Sequence, residues 1–273
     1  MSIITLISDF GVDDEYVGVM KGVILSINPA AIIVDITHHI KPQDLIQTAY
    51  TIKYSYKYFT KGSIHIIVVD PGVGSDRAIL AVEMMGYVFL APDNGVLSLV
   101  MDEANIDSIV RIDNSSYFLD SVSRTFHGRD IFAPVGAHIS MGVEIKELGT
   151  LIDQKDLVHL DVQKPHISGE GELVGTIVSV DRFGNLITDI EFESIEKFCK
   201  PDRELQIIIG KTRITGLSQS YESVKPQTPL AIIGSRGYLE IAVNSGSASR
   251  SFVADKGDTV GLILSEKIKW RDS

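Results

Sequence analysis

The run Val68-Val69-Asp70-Pro71-Gly72-Val73-Gly74-Ser75-Asp76-Arg77 and the run Thr125-Phe126-His127-Gly128-Arg129-Asp130 set a carboxylate, a guanidinium and an imidazole in loops of an otherwise apolar chain. Asp70 closes the apolar stretch 64–69. A carboxylate at the carboxyl end of a buried strand stands where open α/β sheets bind ligands. If Asp70 and Arg77 face each other, the guanidinium favours an ionised carboxylate able to orient or polarise water. The same pair also reads as a salt bridge that ties the loop. His127 is open in the same way: it is a satisfied hydrogen-bonding residue, or a catalyst that Gly128 lets a ligand approach closely. The Asp70 loop has neither the Gly-Lys-Ser/Thr ending of a phosphate-cradling loop nor a G-x-G-x-x-G pattern, which argues against a nucleoside triphosphate.

Other segments carry further polar groups. Ser8-Asp9-Phe10-Gly11-Val12-Asp13-Asp14 follows the first apolar run. Its carboxylates read as oxygen ligands for a hard divalent cation or, through Asp13 or Asp14, as a cap for the helix near Glu15. Asp35-Ile36-Thr37-His38-His39 pairs two histidines with an aspartate. Adjacent side chains point different ways, however, and the H-E-x-x-H spacing is missing, so no metal is expected there. In Val180-Asp181-Arg182-Phe183-Gly184-Asn185, the Asp and Asn groups can read a purine edge while the ring stacks on it, or the segment is a plain turn with an aromatic plug. In the run 234–246, Arg236 can grip a ligand carboxylate through its two-donor fork, although read alone the run is an ordinary turn and strand.

These groups need elements to hold them. Periodicity predicts strands over 3–8, 31–36, 63–70, 78–84 and 87–91, and helices over 15–27, 43–59 and 130–141, with a turn at Pro92-Asp93-Asn94-Gly95 before a further helix. Alternating strands and helices imply an α/β fold with a mostly parallel sheet and helices on both faces. Beyond residue 169 the pattern changes to short strands over 172–180, 186–190, 204–209, 229–233, 238–243 and 259–264, a smaller antiparallel β domain. The expected division is an N-terminal domain over 1–153, a linker over 154–170 and a C-terminal β-rich domain over 171–273.

Composition bounds the partners. At 273 residues the chain is long enough for about two domains. A net charge of -11 without any run of Lys or Arg argues against nucleic acid, and no stretch approaches the ~20 apolar residues of a membrane span. The N-terminus lacks a basic region and reads as a strand, not a signal peptide. One cysteine, Cys199, leaves no intrachain disulfide and fits a cytoplasmic location.

Taken in order from Thr5 to about Leu264, these segments resemble the S-adenosyl-L-methionine (SAM) hydroxide adenosyltransferase family, the adenosine-forming SAM hydrolases related to the SAM-dependent fluorinase and chlorinase. The resemblance implies that water attacks the ribose C5′ and methionine leaves, with no cofactor or metal. It assigns water activation to Asp70, Arg77 and His127. It gives the ribose hydroxyls to Asp9 and the methionine ammonium to Asp14. Asp181, Ser235 and Arg236 take further methionine contacts, and Glu240 lies in the same strand. Asn185 and the backbone of Val243, Asn244 and Ser245 form the adenine site, with Phe126 and Phe183 as apolar walls. It also implies a homotrimer with each site between neighbouring subunits. The halogenating relatives have tyrosine where this chain has Asp70, and an extra loop that is missing between Ala91 and Phe126, so hydrolysis is the expected branch. Gln43 stands where the fluorinase has an aromatic residue.

Two other functions compete with this one. The early carboxylates motivate a calcium-dependent nucleoside N-ribohydrolase, although Gly11 breaks the D-x-D-x-x-x-D-D pattern of such enzymes. A non-catalytic adenosine or SAM sensor is the other.

Overall fold

The computed structural model describes residues 2–266, so the stretch 267–273 of the expected C-terminal domain lies outside the described residues. The chain divides into two compact units, Met1–Asp161 and a second that begins at Val162.

The first unit is built on one sheet. Its strands are β1 (Ile3–Ser8), β2 (Ile32–Thr37), β3 (Ile64–Val68), β4 (Ile79–Met84), β5 (Tyr87–Pro92), β6 (Ile106–Ile112) and β7 (Gly149–Leu151), in the order β2-β1-β3-β5-β4-β6-β7. The helices are α1 (Tyr16–Ile27), α2 (Leu45–Ser55), α3 (Ser98–Met101) and α4 (Ala133–Ser140). β1 and β3 are almost wholly buried, and their alternate residues enter different clusters, as the two-residue period of a strand requires. Leu6, Ile66 and Val68 pack with Met20 and Ile24 of α1 and with Val135 of α4. Ile7, Ile67 and Val69 pack with Ile52 of α2 and Val100 of α3.

The expected mostly parallel sheet is corrected to a mixed one. β1 pairs parallel with β2 and β3, and β3 with β5, whereas β4 runs antiparallel to β5 and β6, and β6 to β7. The reason is the two-residue connection Met85-Gly86, both with positive φ (55° and 80°), the type I′ geometry that closes a hairpin. The expected 43–59 helix is also shorter: α2 stops at Ser55 and a single 3-10 turn, Tyr56–Tyr58, follows.

The parallel half creates the site. From central β1 the chain moves to β2 on one side and crosses to β3 on the other, so the loops after β1 and β3 diverge. Such a switch point leaves a crevice at the strands' carboxyl ends. Ser8 is level with Val68 across that pair, which brings the Asp9 and Asp70 loops side by side.

The second unit is antiparallel, with β8 (His166–Ile167), β9 (Leu173–Val180), β10 (Leu186–Glu191), β11 (Arg203–Ile209), β12 (Thr212–Thr215), β13 (Pro229–Ile233), β14 (Tyr238–Val243) and β15 (Thr259–Glu266), and short helices α5 (Phe192–Phe198) and α6 (Ala248–Phe252). The order is β12-β11-β15-β9-β10-β14-β13, with β8 on β9. A bridge from Ser218, just past β12, to Ile232 of β13 nearly closes the sheet on itself. Among the described residues no helix is long and apolar enough to cross a membrane.

Candidate active site

The structure joins the carboxylate, guanidinium and imidazole of the first unit. Arg77 Nε donates to both Asp70 oxygens at 2.7 and 2.8 Å, and its Nη2 is in contact with Asp70 Oδ2. The same Nη2 lies 2.8 Å from His127 Nδ1. A guanidinium has only donors, so Nδ1 must accept, and the neutral imidazole then carries its proton on Nε2. Burial, followed by the Arg77 charge, lowers the His127 pKa and favours this neutral form. The side chains of Asp70 and Arg77 are only 5% and 10% exposed, so the pair is more than a surface tie for the loop.

The loops are fitted to each other by glycine. Gly74 has φ +78°, and a Cβ there would lie 2.2 Å from the Arg124 carbonyl oxygen, so only glycine lets the 70–77 loop approach the segment that carries His127. A π-helical turn, Gly128–Phe132, follows His127 and leads into α4. Asn94 Nδ2 donates to the Val69 carbonyl at 2.9 Å and braces the end of β3.

Asp9, Phe10, Gln43, Asp70, Phe126 and His127 share the wall of a cavity of about 300 Å³. Asp9 Oδ2 accepts from the Gln43 backbone N–H at 2.8 Å, the Gln43 φ of 64° turning that N–H toward it. Phe126 packs edge-on against Phe10 and Tyr16 at 5.8 and 5.0 Å. Asp14 is exposed and outside this wall.

The capping expectation fails, because the capping position of α1 is held by Glu15, not Asp13 or Asp14, and makes no side-chain cap bond. His38 is buried on Ser8 Oγ (2.7 Å) and 3.1 Å from Asp35, which Lys21 also pairs. Among the described residues no group of three or more His, Cys, Asp or Glu is arranged to hold a metal.

In the second unit Asp181, Phe183, Asn185, Ser235, Arg236, Glu240, Val243, Asn244 and Ser245 all line one cavity of about 800 Å³. They meet because β10 runs antiparallel to β14, Leu186 opposite Ile241 and Glu191 opposite Tyr238. The β9–β10 turn therefore lies beside the 243–245 end of β14, the β13–β14 turn lies at the other end, and Glu240 stands between them along one cavity. Asp181 organises the first turn, accepting from the backbone of Phe183 (2.8 Å) and Asn185 (2.9 Å) and from Asn185 Nδ2 (3.0 Å). Phe183 is 77% exposed, a ring with one face free for a ligand. Glu240 is buried, and burial raises its pKa against the hydrogen bond that Tyr221 gives it at 2.5 Å.

Sequence reasoning missed Tyr221, which stands in the featureless run Ser-Gln-Ser-Tyr-Glu-Ser, and the apolar floor of Ile187 and Ile232. Nothing in the local pattern marks Tyr221; its pairing with Glu240 across the fold is what reveals it.

A mixed α/β unit with a carboxylate at its switch point, joined in one chain to a nearly closed β unit with a polar pocket, is the build of a two-domain enzyme for a small polar molecule. The chain belongs to the SAM hydroxide adenosyltransferase family: the N-terminal domain profile of that family matches residues 4–149 and the C-terminal one residues 175–261. It is 35% identical to an (R)-S-adenosyl-L-methionine hydrolase of Methanocaldococcus jannaschii, over 96% of each chain. A hydrolase of the same name from Thermus thermophilus is 32% identical over 94% of this chain and 98% of that one, and a fluorinase of Actinoplanes is 26% identical over 94% and 96%. An uncharacterized conserved protein of Thermotoga maritima has a similar crystal structure, with a TM-score of 0.88 at 34% identity over 95% of this chain and 99% of that one.

Proposed function

We propose that this enzyme hydrolyses S-adenosyl-L-methionine to adenosine and L-methionine, and that the (R)-sulfonium epimer named for its relatives is the form it takes. The observation that carries the reading is the contact of Arg77 with both Asp70 and His127 at the wall of the N-terminal pocket.

The chemistry follows from what each group can still do. His127 accepts from Arg77 on Nδ1, so Nε2 is a donor and the ring holds a water oxygen instead of taking its proton. Asp70 Oδ1 accepts from Arg77 Nε alone, so it keeps a second lone pair and accepts the water O–H, while Oδ2 is taken by Nε and Nη2. The water oxygen bonds to C5′ as the C5′–S bond breaks, the electron pair passes to sulfur, and the water proton leaves through Asp70 to solvent. A sulfonium leaves as a neutral thioether and needs no general acid, so orienting the nucleophile is the main task. Asp9 takes the ribose hydroxyls and Phe126 an apolar face. Asp14 and Asp181 take the ammonium, Ser235 and Arg236 the carboxylate, and Asn185 with Val243 to Ser245 the adenine, against Phe183.

The active form in this reading is a homotrimer, one chain's N-terminal pocket working with the C-terminal pocket of its neighbour, and residues 154–170 serving as the linker. Helices on both faces of the first sheet are supported by its two separate packing clusters. The single cysteine supports a cytoplasmic setting.

Incubation with SAM in oxygen-18 water tests the reaction: the label should enter the adenosine 5′-hydroxyl, with no free adenine and no loss on chelation. Free adenine with chelator sensitivity would point to the N-ribohydrolase instead, and tight adenosine binding without turnover to the sensor. Mixing the inactive Asp70→Ala and Arg236→Ala proteins tests the shared site, since re-assembled trimers should recover part of the activity.

A further inference from the structure

Asp130 is fully buried, yet every part of its carboxylate is engaged. Oδ2 accepts from Ser123 N (2.8 Å), Ser123 Oγ (2.6 Å) and Arg129 Nη2 (3.2 Å), and Oδ1 from Arg129 Nε (2.6 Å). Its own carbonyl accepts from Leu119 N at 3.0 Å. The 119–130 segment is therefore wound around one acid. Ser123 Oγ in turn accepts from the backbone N–H of Phe126, the residue before His127, at 3.0 Å.

We propose that Asp130, acting through Ser123, is a positioning residue for the Asp70, Arg77 and His127 cluster, setting the orientation in which His127 accepts from Arg77. The inference rests on the hydrolase reading for its consequence in turnover, although not for its geometry. An amide could not replace the acid, because asparagine offers one acceptor oxygen and must give up either Ser123 or Arg129. Arg129 cannot hold the loop alone: it lies next to Asp130 in sequence and stacks outward over Phe126, 5.3 Å from the ring. The bonds to Ser123 are the ones that span the turn. The charged groups facing His127 are Arg77 and Asp70 from the β3–β4 loop and Asp130 from its own segment.

The test is a double-mutant cycle on the full-length protein. Asp130→Asn and Ser123→Ala should each lower kcat about tenfold, as outer partners of a site's ligands do, with KM within about twofold. In a His127→Ala background neither should lower it further, because the groups act in series. Ser123→Thr, which keeps the hydroxyl, should restore most of the rate. In Asp130→Asn the loss of a nearby negative charge should move the His127 titration, followed by nitrogen-15 NMR, to lower pH. Equal rate losses in both backgrounds, or a Ser123→Ala protein with full kcat, would overturn the proposal. A wild-type protein that fails to cleave SAM would overturn the hydrolase reading instead, and the NMR titration of folded protein then decides the positioning role: an unmoved His127 sinks it.

Discussion

Arg77 shows why residue type matters more than charge at this site. Its planar fork meets Asp70 with two nitrogens and His127 with one of them, three contacts that a point-charge ammonium cannot make together. Arg77→Lys should keep the melting temperature within a few degrees, because a cation still faces the nearly buried Asp70, while kcat falls by about two orders of magnitude. A kinetic comparison at saturating SAM checks this, and a lysine variant with near-normal kcat would show that the fork is dispensable. The Tyr221 and Glu240 pair makes a second point. Burial raises the Glu240 pKa and the Tyr221 hydroxyl pulls it back, so Tyr221→Phe should raise it further. Carbon-13 NMR of the Glu240 carboxyl reads that shift directly, and an unmoved or lowered value contradicts the assignment.

At the scale of elements, the site depends on how closely two loops approach, and Gly74 sets the limit. Gly74→Ala places a methyl group against the Arg124 carbonyl and forces a left-handed backbone on alanine, a strain of about 1–3 kcal/mol. The 70–77 loop should shift away from His127, lowering kcat more than stability alone accounts for; kcat measured per folded molecule at low temperature, beside a urea titration, separates the two effects. The same scale explains what was legible in the sequence. β1, α1, β2, α2 and β3 can be read because each has a full apolar period, and the loops bearing Asp9 and Asp70 fall at the ends of β1 and β3, as those bearing Asp181 and Arg236 fall at the ends of β9 and β13. The β4–β5 hairpin was hidden because its turn uses Met85 where Asn or Asp is the usual signal. β6, with Asp107 and Arg111 between its apolar residues, and the two-residue β8 carry too little pattern to stand out. Glu240 could be suspected from its strand, whereas Tyr221 gains meaning only from a partner 19 residues away.

The two units of the molecule carry opposite electrostatic signs of stability. In the first, His65 is fully buried among Tyr56, Phe59, Tyr87 and Phe89, and burial lowers its pKa to about 4. Between pH 4 and 6.5 the unfolded chain binds the proton that the folded unit refuses, so this unit is fully stable above 6.5 and weakens as pH falls. His127 and His138, also lowered by burial, act in the same direction. So do Asp35 and Asp130, where burial raises the pKa but hydrogen bonds outweigh it; Asp93, raised by burial, opposes them. In the second unit burial lifts Asp189 to about 6 against the hydrogen bond from Thr176 N, and raises Glu240. Here the folded unit binds the extra proton, so the stability Asp189 contributes is greatest below pH 3.8 and is lost as pH rises to 6, with the exposed Glu193, held low by the hydrogen bond from Lys197, opposing it. Each shift of two units or slightly more corresponds to roughly 3 kcal/mol in full. Moving from pH 7 to 4.5 should therefore weaken protection of the β3 amides and strengthen that of the β10 amides, each by about 2 kcal/mol in hydrogen exchange corrected for intrinsic rates. The double substitution Thr5→Val with His65→Leu removes the buried pair of Thr5 and His65 and should flatten the first slope, while Asp189→Asn, which keeps an acceptor for Thr176, should flatten the second. Slopes of one sign in both units, or slopes that survive these substitutions, would contradict the assignment of the two buried groups.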